Sequence, residues 1–468
     1  MKDSGDHRSG LLPALGPVQL VLLGVGCIIG AGIFVITGSA AADYAGPAVS
    51  LSFLLAAFAC ACAGLCYSEL AATSKESGGA YSYTRDALGP RIGWLVGWNL
   101  IMEYLVAASF VAVGWSGYLS ALCDSVGLSL PKAFTSAPFK LTNGHLEATG
   151  AIINLPAALI IGLATLCAVI GVKRSSAANM VVVLIKVTVI LVVIAVGAFH
   201  VNPALWTPFI PENTGTFGQY GISGVMKAAG VVFIAYIGFD AVATTALEAR
   251  KPQRDVPIGI LGSLAVCTVL YIAMSLVLTG TVPYTQLSVP SPVALAVANM
   301  GEGVSWILPL VSLGAIAGLT SVILVLLVAQ PRVFFAMAQH RILPSLFAKV
   351  HPTYRTPHIS TIITGAIAAA LAALFPIDFL AELVSSGTLL AFMMVSVSVI
   401  VLRRTRPDAP RPFRVPLVPL IPIVSILVCG YLISVLGEHA YLRLGIWLAI
   451  GLVIYELRKK HAVAAGIA

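Results

Sequence analysis

The stretch GVGCIIGAGIF, residues 24–34, places four glycines in the first long apolar run of the chain. A glycine inside a helix costs about 1 kcal/mol relative to alanine, so a segment suited to crossing a membrane is weakened near its middle. Two interpretations follow. The small residues allow neighbouring helices to pack closely, or the helix is interrupted near residues 29–32, where its main chain lines a cavity.

Composition places this run in a membrane protein. The 468 residues are 59% hydrophobic and 10% charged, whereas soluble domains are about 25% charged. A soluble core cannot bury so much apolar surface, but about 20 apolar residues span a bilayer. We therefore predict an all-α polytopic membrane protein with twelve transmembrane helices. They are expected at residues 17–43, 46–72, 91–121, 150–171, 178–199, 221–248, 259–281, 303–338, 358–376, 378–402, 416–436 and 440–457.

Basic residues indicate the orientation of these helices. If the N-terminus is inside, 22 of the 27 Lys and Arg residues fall on the inner side, and basic residues in short loops stay cytoplasmic. We predict that both termini are cytoplasmic and that the chain lies in the cell (plasma) inner membrane. The net charge of +8 is then a topology signal, with the lipid bilayer as partner and no nucleic acid.

The predicted helices divide into two sets of five, and the first helix of each set is interrupted by glycine. In the second set that stretch is FIAYIGFDAV, residues 233–242. Because five is odd, the halves insert with opposite orientation, which is the inverted-repeat plan of many secondary transporters. The expected units are a cytoplasmic N-terminal segment (1–16), a first repeat (17–199), a second, inverted repeat (221–402), helices eleven and twelve (403–457) and a cytoplasmic tail (458–468).

An interrupted helix has a distinctive chemistry. Its freed N–H groups, with the helix dipole, suit a carboxylate, and its freed carbonyls suit an ammonium group or a cation. Two such interruptions match a zwitterion, for which an α-amino acid is the obvious candidate. The sequence contains no H-E-x-x-H, G-x-S-x-G or G-x-x-x-x-G-K-[ST] motif, so we expect neither an enzyme nor an ATP-driven pump. Transport would then depend on a gradient.

Three ionisable residues lie within predicted spans: Glu103, Lys186 and Asp240. Such residues are expensive in hydrocarbon and are functional candidates by default. Lys186 interrupts the apolar stretch VVVLIKVTVILVV, and a buried lysine can gain and lose a proton near neutral pH. We predict that its proton is the coupling ion, with no cofactor and no metal. The alternatives are snorkelling to the interface and pairing with the carboxylate of Asp240 or Glu103. Asp240 either packs against hydroxyls or borders the substrate pocket.

Several motifs occur in order over nearly the whole chain. They are GVGCIIGAGIF, SGGAYSYTRDALG (77–89), AYIGFDAV (235–242) followed by EARKPQRDVPIGI (248–260), and RPFRVP (411–416). Together they resemble the amino acid-polyamine-organocation (APC) superfamily of transporters. VGWSGYLSAL (113–122) and RPFRVPLVPLIP (411–422) are similar to the cationic amino acid transporter branch in its bacterial form. The resemblance implies a leucine-transporter-type fold of 5+5 inverted repeats, with broken helices 1 and 6 and alternating access.

The resemblance also implies a substrate site. The substrate carboxylate would meet the main chain of the first broken helix, above all at Ala31 and Gly32. The amino group would meet carbonyls of the sixth helix, with Asp240 beside the pocket. The complete predicted set is Ile28, Ile29, Gly30, Ala31, Gly32, Phe233, Ile234, Ile237, Asp240 and Leu326.

A proton-coupling site is implied next to it. In the family a lysine of helix five replaces a sodium site between helices one, five and eight, which corresponds to Lys186 here. Its expected neighbours are the carbonyls of Gly26 and Ile29, and Thr320 or Ser321 on helix eight. Glu103 is assigned to the same coupling group.

Two departures from the family narrow the predicted substrate. Ile234 stands where relatives often have an aromatic residue, although Phe233 is adjacent, and helix eight has Leu326 and Leu327 where a small residue would admit a long cationic side chain. We expect proton-coupled symport of small neutral L-amino acids such as alanine. The alternatives are an amino acid exchanger, and a membrane subunit or sensor that binds amino acids with a small single-span partner protein.

Overall fold

The computed structural model describes residues 16–73, 79–142, 145–171, 176–244, 249–304, 306–339, 343–354 and 356–464. The predicted N-terminal segment other than Gly16, and the last four residues of the predicted tail, lie outside the described residues. The same holds for parts of two motifs and for several basic residues used for the orientation. These are Ser77, Gly78, Glu248, Lys2, Arg8, Lys75, Lys173, Arg174, Arg341 and Arg355.

α-Helices account for most of the described chain. They are α1 (Pro17–Ile28), α2 (Thr37–Ala40), α3 (Val49–Thr73), α4 (Gly79–Leu88), α5 (Pro90–Ser125), α6 (Lys132–Thr135), α7 (Leu155–Ile170), α8 (Ser176–Ala198), α9 (Gly221–Val232), α10 (Phe239–Thr244), α11 (Pro252–Thr281), α12 (Pro292–Asn299), α13 (Ile307–Gln339), α14 (His358–Leu374), α15 (Ile377–Thr405), α16 (Leu420–Val435) and α17 (Glu438–Ala464). Two π-helical turns, Gly32–Ile36 and Ala41–Ala45, flank α2.

Helix length and composition identify a multi-pass membrane protein. In the described part of the chain, seven helical segments are long and apolar enough to cross a membrane, and five further apolar helices contain 10–17 residues. The seven are Gly32–Thr73, Pro90–Ser125, Val181–Ala198, Gln253–Thr281, Ile307–Phe335, Ile377–Thr405 and Glu438–Arg458. Two of the shorter helices, α1 and α9, are the first pieces of interrupted helices.

Small residues bring α1 close to its neighbours. A Cβ atom on Gly24 would lie 2.5 Å from Oγ of Ser263 in α11, and one on Gly26 would lie 2.6 Å from a methyl group of Val183 in α8. These two glycines therefore serve close packing, as the first interpretation of the opening stretch holds. They position α1 between α8 and α11.

The long helix α5 is tied to two neighbours by buried amide side chains. Asn99 Nδ2 donates to the main-chain oxygen of Gly387 in α15 at 2.7 Å, and Gln330 Nε2 of α13 donates to that of Ile101 at 3.0 Å. Polar contacts of this kind act as adhesive between helices in lipid, where no hydrophobic force favours helix association. They fix the wall of the bundle that faces the interrupted helices.

The described chain is mostly helical, as predicted, but one connection contains a β-hairpin and three short helices in connections were not predicted. Strands β1 (Phe139–Thr142) and β2 (His145–Ala148) form an antiparallel hairpin between α6 and α7. The helices α4, α6 and α12 lie in connections between the predicted spans. Short connections gain such structure because main-chain polar groups near a bilayer need hydrogen-bond partners.

A buried carboxylate joins the end of α3 to the linker between α15 and α16. Glu69, 2% exposed, accepts from Arg403 Nε at 2.9 Å and Nη2 at 2.6 Å, and from the main-chain N–H of Val415 at 2.7 Å. Arg411 Nε lies 3.5 Å from the same carboxylate. The buried charge is therefore surrounded by matched donors.

Replacing Glu69 by alanine should destabilise the fold. The change leaves the buried Arg411 and the partly buried Arg403 without their anion, and breaking a buried pair in this way costs about 3 kcal/mol or more. We expect a clearly lower unfolding temperature in detergent. Glu212→Ala, at an exposed acid, is the matched control and should change the unfolding temperature little. Equal unfolding temperatures for both variants would contradict the role given to Glu69.

Candidate functional site

The first helix is interrupted at Ile29 and Gly30. α1 ends at Ile28, and Ile29 has an extended conformation with φ −69° and ψ 107°. Helical structure resumes with Gly32 as the first residue of a π-helical turn and Ala31 as its N-cap. The amides that begin this turn have no carbonyl one turn earlier in the helix, so they remain available as donors. The interruption lies within the predicted stretch 29–32.

The carbonyls at the end of α1 are met by two buried side chains. Lys186 Nζ of α8 donates to the main-chain oxygen of Ile29 at 2.7 Å and to that of Gly26. The hydroxyl of Tyr271 in α11 lies 3.0 Å from the oxygen of Ile28. Both side chains are fully buried. Carbonyl groups that a continuous helix would satisfy are thus satisfied by an ammonium group and a phenol.

The second interruption lies at Ile237 and Gly238, between a 3₁₀ turn (Phe233–Tyr236) and α10. Gly238 has φ +112°, which disfavours any residue with a side chain. Its N–H donates to Asp240 Oδ1 at 3.2 Å, while the Tyr104 hydroxyl donates to Asp240 Oδ2 at 3.4 Å. Asp240 therefore accepts both from a tyrosine hydroxyl and from the main chain of the second interruption.

The two interruptions touch each other. A Cβ atom on Gly32 would lie 2.4 Å from Cβ of Ala235, and one on Gly238 would lie 2.8 Å from the main-chain oxygen of Cys27. The Tyr271 hydroxyl that reaches Ile28 also lies 2.8 Å from the oxygen of Ala235. One phenol thus connects both interrupted helices.

Tyr271 was not found by sequence reasoning. It lies in the apolar run LAVCTVLYIAM, residues 264–274, where a tyrosine looks like ordinary core packing. Its contact with both interruptions depends on how α11 packs against α1. The available signal was a phenol in a mostly apolar stretch that also contains Thr268.

The remaining predicted substrate residues surround these interruptions to different degrees. Ala31 and Ile29 are buried in the main-chain bend, and Ile234 is 7% exposed. The ring of Phe233 packs edge-on against Phe392 of α15, with centroids 5.4 Å apart. Its side chain is therefore used in an aromatic contact with α15.

Helix α13 approaches the first interruption through Val322. A Cβ atom on Gly30 would lie 3.0 Å from a methyl group of Val322. Leu326, 7% exposed, follows Val322 by about one helical turn and shares its face of the helix. Val322 and Leu326 therefore lie on the face of α13 that approaches the first interruption.

The predicted hydroxyl neighbours of Lys186 are used elsewhere. Thr320 Oγ1 accepts from Trp115 Nε1 at 2.9 Å, and Ser321 Oγ donates to the oxygen of Gly318 at 2.7 Å. Within the described contacts, neither hydroxyl bonds Lys186. A Cβ atom on Gly318 would instead lie 3.5 Å from the lysine stem. A glycine of α13 therefore makes the room for Lys186.

The alternative pairing of Lys186 with a carboxylate is not seen among the described residues, where its partners are the carbonyls of Gly26 and Ile29. Glu103 is 2% exposed and interacts electrostatically with Asp240. Its Oε2 atom has no hydrogen-bond partner in the described structure. Among the described contacts, Lys186 therefore forms no ion pair with either predicted carboxylate.

The sequence of this chain is similar to those of known permeases and transporters. The family described as "Amino acid permease" matches residues 15–452. The methylthioribose transporter of Bacillus subtilis (strain 168) is 45% identical over 97% of this chain and 95% of its own length. The branched-chain amino acid permease BcaP of the same organism is 44% identical over 96% of this chain and 93% of its own. Human cationic amino acid transporter 4 is 37% identical over 86% of this chain and 62% of its own.

Replacing Gly32 by alanine should force the two interruptions apart, because the added methyl carbon would lie 2.4 Å from Cβ and 2.5 Å from Cα of Ala235. Such overpacking costs about 1–3 kcal/mol, so we expect a lower unfolding temperature in detergent. Gly162→Ala is the control, because nothing lies within 4 Å of a Cβ atom there. That change should leave the unfolding temperature unchanged or raise it. A similar response at both positions would count against the close contact.

Tyr271→Phe should weaken binding of an amino acid, if one binds between the two interruptions. The change removes the shared donor that fixes the carbonyls of Ile28 and Ala235, an interaction worth about 1–3 kcal/mol, so binding must then also order the two main-chain ends. We expect about a tenfold or larger loss of affinity, measured by equilibrium binding of labelled amino acid. Tyr236→Phe is matched, since its hydroxyl contacts Phe53 and Thr268 instead. Equal losses of affinity in both variants would show that Tyr271 acts only through packing.

Proposed function

The chain belongs to the amino acid permease family, and from that premise we propose that it is a secondary active transporter carrying a small neutral L-amino acid together with a proton. Its relatives are permeases and transporters, a family without enzymatic activity. The observation that carries the proposal is the contact between the two interrupted helices at Gly32 and Ala235. That contact brings unused main-chain donors of one helix next to carbonyls of the other.

In the proposed bound state the amino acid bridges these two main-chain ends. Its carboxylate accepts from the amides of Ala31 and Gly32, where the partial positive charge of a helix N-terminus favours an anion. Its ammonium group donates to carbonyls of residues 234–237. Charged substrate groups are thus met by main-chain dipoles, so few charged side chains need to be buried.

Proton coupling is proposed for Lys186 because of its contact with α1. A charged ammonium group holds the carbonyls of Gly26 and Ile29 more strongly than a neutral amine, since hydrogen bonds from ionised donors are about twice as strong. Protonation would therefore tighten the contact between α8 and the end of α1, and loss of the proton would loosen it. The proton is the coupling ion, and no cofactor enters the proposal. Glu103 stays a predicted member of the coupling group.

The apolar face of α13 bears on the size of the substrate side chain. Leu326 and Val322 favour a short aliphatic side chain, of which alanine is the first candidate. A second candidate is a branched-chain amino acid, because a relative that is 44% identical carries the name branched-chain amino acid permease. Amino acid exchange, and binding with a small single-span partner, remain the alternative modes.

We also propose the complete topology. The seven long segments together with α1, α7, α9, α14 and α16 are consistent with twelve passages, and residues 17–199 and 221–402 are the proposed inverted repeats of a leucine-transporter-type fold. Helices eleven and twelve, within residues 403–457, lie outside the repeats. Both termini are proposed to be cytoplasmic, in the plasma membrane.

Uptake into proteoliposomes tests the proposed function. Labelled L-alanine should accumulate inside the proteoliposomes when an inward proton gradient is applied. Lys186→Met should abolish this accumulation, because methionine carries no proton and donates no hydrogen bond to Gly26 or Ile29. Lys349→Met, at an exposed lysine, is the control and should accumulate alanine normally. The same assay with valine, leucine and isoleucine compares the second substrate candidate.

Three outcomes would overturn parts of this proposal. Accumulation driven by a sodium gradient and indifferent to pH would exclude proton coupling. Accumulation by Lys186→Met would exclude the lysine as the coupling group. A strict need for internal substrate would establish exchange in place of symport.

A further inference from the structure

The end of α15 and the linker to α16 carry a concentration of positive charge that the transport proposal does not use. Arg403 and Arg404 lie in the last turn of α15, and Arg406, Arg411 and Arg414 follow in the linker, with Asp408 as its acidic residue. Arg403 and Arg411 are engaged by the buried Glu69. Arg404, Arg406 and Arg414, here called the linker arginine surface, are exposed. No ion pair joins them to an acidic side chain within the described residues.

The linker has a fixed shape because Arg411 is folded into it. Its side chain is only 6% exposed, and its guanidinium group donates to four main-chain oxygens. These belong to Leu402 (2.9 Å), Arg406 (2.6 Å), Pro407 (2.9 Å) and Ala409 (3.1 Å). At the far end Arg403 Nη2 donates to the oxygen of Val415 at 3.2 Å. The linker arginine surface is therefore presented by an ordered segment.

Two exposed apolar side chains follow this surface, Leu417 in the linker and Leu420 at the start of α16. Leu417 is 71% exposed and Leu420 is 56% exposed. Leu417 also has φ +49°, a conformation that a residue with a side chain rarely adopts. Exposed leucines beside arginines are the arrangement of interfacial segments, whose apolar groups enter the boundary between headgroups and acyl chains.

We propose that the linker arginine surface binds the phosphate headgroups of anionic phospholipids in the leaflet on its own side of the membrane. That leaflet is the cytoplasmic one, which rests on the proposed orientation. Guanidinium groups match phosphate geometry, and clusters of basic residues next to a membrane helix attract anionic lipids. Asp408 lowers the charge of the segment, but Arg404, Arg406 and Arg414 still leave it positive.

A topology signal alone would give a different expectation. Basic residues that only set the orientation are counted by the side of the membrane on which their loop lies. Such residues need no particular arrangement relative to each other. A headgroup site depends on these three arginines and on the linker shape that presents them. Charge-matched variants therefore separate the two explanations.

Bound lipid can be measured directly by native mass spectrometry. The purified, delipidated chain is incubated with equal amounts of phosphatidylglycerol and phosphatidylcholine of the same acyl chains. We expect the wild type to retain phosphatidylglycerol preferentially, and the combined variant R404Q, R406Q and R414Q to lose about tenfold or more of that preference. The control combination K251Q, R254Q and K349Q removes three exposed charges elsewhere and should keep the preference.

The R411K variant and a competition with inorganic phosphate complete the experiment. R411K retains the charge but loses the planar guanidinium group that bonds the linker main chain, so it should disorder the linker and reduce the preference for phosphatidylglycerol. An unchanged preference would contradict the inference that an ordered linker presents the three arginines. Inorganic phosphate at the lipid concentration should not displace phosphatidylglycerol. Displacement, or equal effects of the two triple variants, or no effect of either, would overturn the proposal. Because the readout is bound lipid, its outcome does not depend on amino acid uptake.

Discussion

The carbonyl groups at the end of α1 are the constraint on which the rest of the structure depends. In a membrane interior an unsatisfied main-chain group costs several kcal/mol, so a helix that stops at Ile28 must find donors outside itself. Lys186 and Tyr271 supply them from α8 and α11. Both helices must therefore pack directly against α1, which Gly24 and Gly26 allow by presenting no side chain to them.

The same arrangement defines what remains free for a ligand. The carbonyl side of the first interruption is largely satisfied within the protein, by an ammonium group and a phenol. The main-chain N–H groups of Ala31 and Gly32 stand at the start of a helical turn, and no carbonyl of that turn accepts from them. Because the second interruption touches this point through Ala235, a ligand with one anionic and one cationic group fits the two main-chain ends together. On the proposed function, that ligand is an amino acid.

The sequence predicts the parts of this arrangement that depend on local chemistry. Four glycines in eleven residues indicate either close packing or an interruption, and the structure uses Gly24 and Gly26 for the first and Gly30 and Gly32 for the second. A lysine in an apolar helix indicates a buried charge that needs partners. Tyr271 is different, because a hydroxyl in an apolar helix acquires meaning only when packing decides which groups it faces. Thr320 and Ser321, predicted as neighbours of Lys186, depend on packing in the same way, and their hydroxyls bond Trp115 and the main chain of their own helix. The hairpin has a local signal in the sequence, Asn143–Gly144 between alternating residues, which the sequence analysis did not use.

The central claim is that the two interruptions bind a zwitterion by both of its charges. The most direct measurement is ligand-induced thermal stabilisation of the purified chain, which rises with binding by mass action. The neutral amino acid giving the largest stabilisation is compared with its amide, which lacks the carboxylate, and with the corresponding carboxylic acid, which lacks the ammonium group. The account predicts stabilisation by the intact amino acid and little or none by either analogue. Equal stabilisation by an analogue lacking one charged group would contradict it.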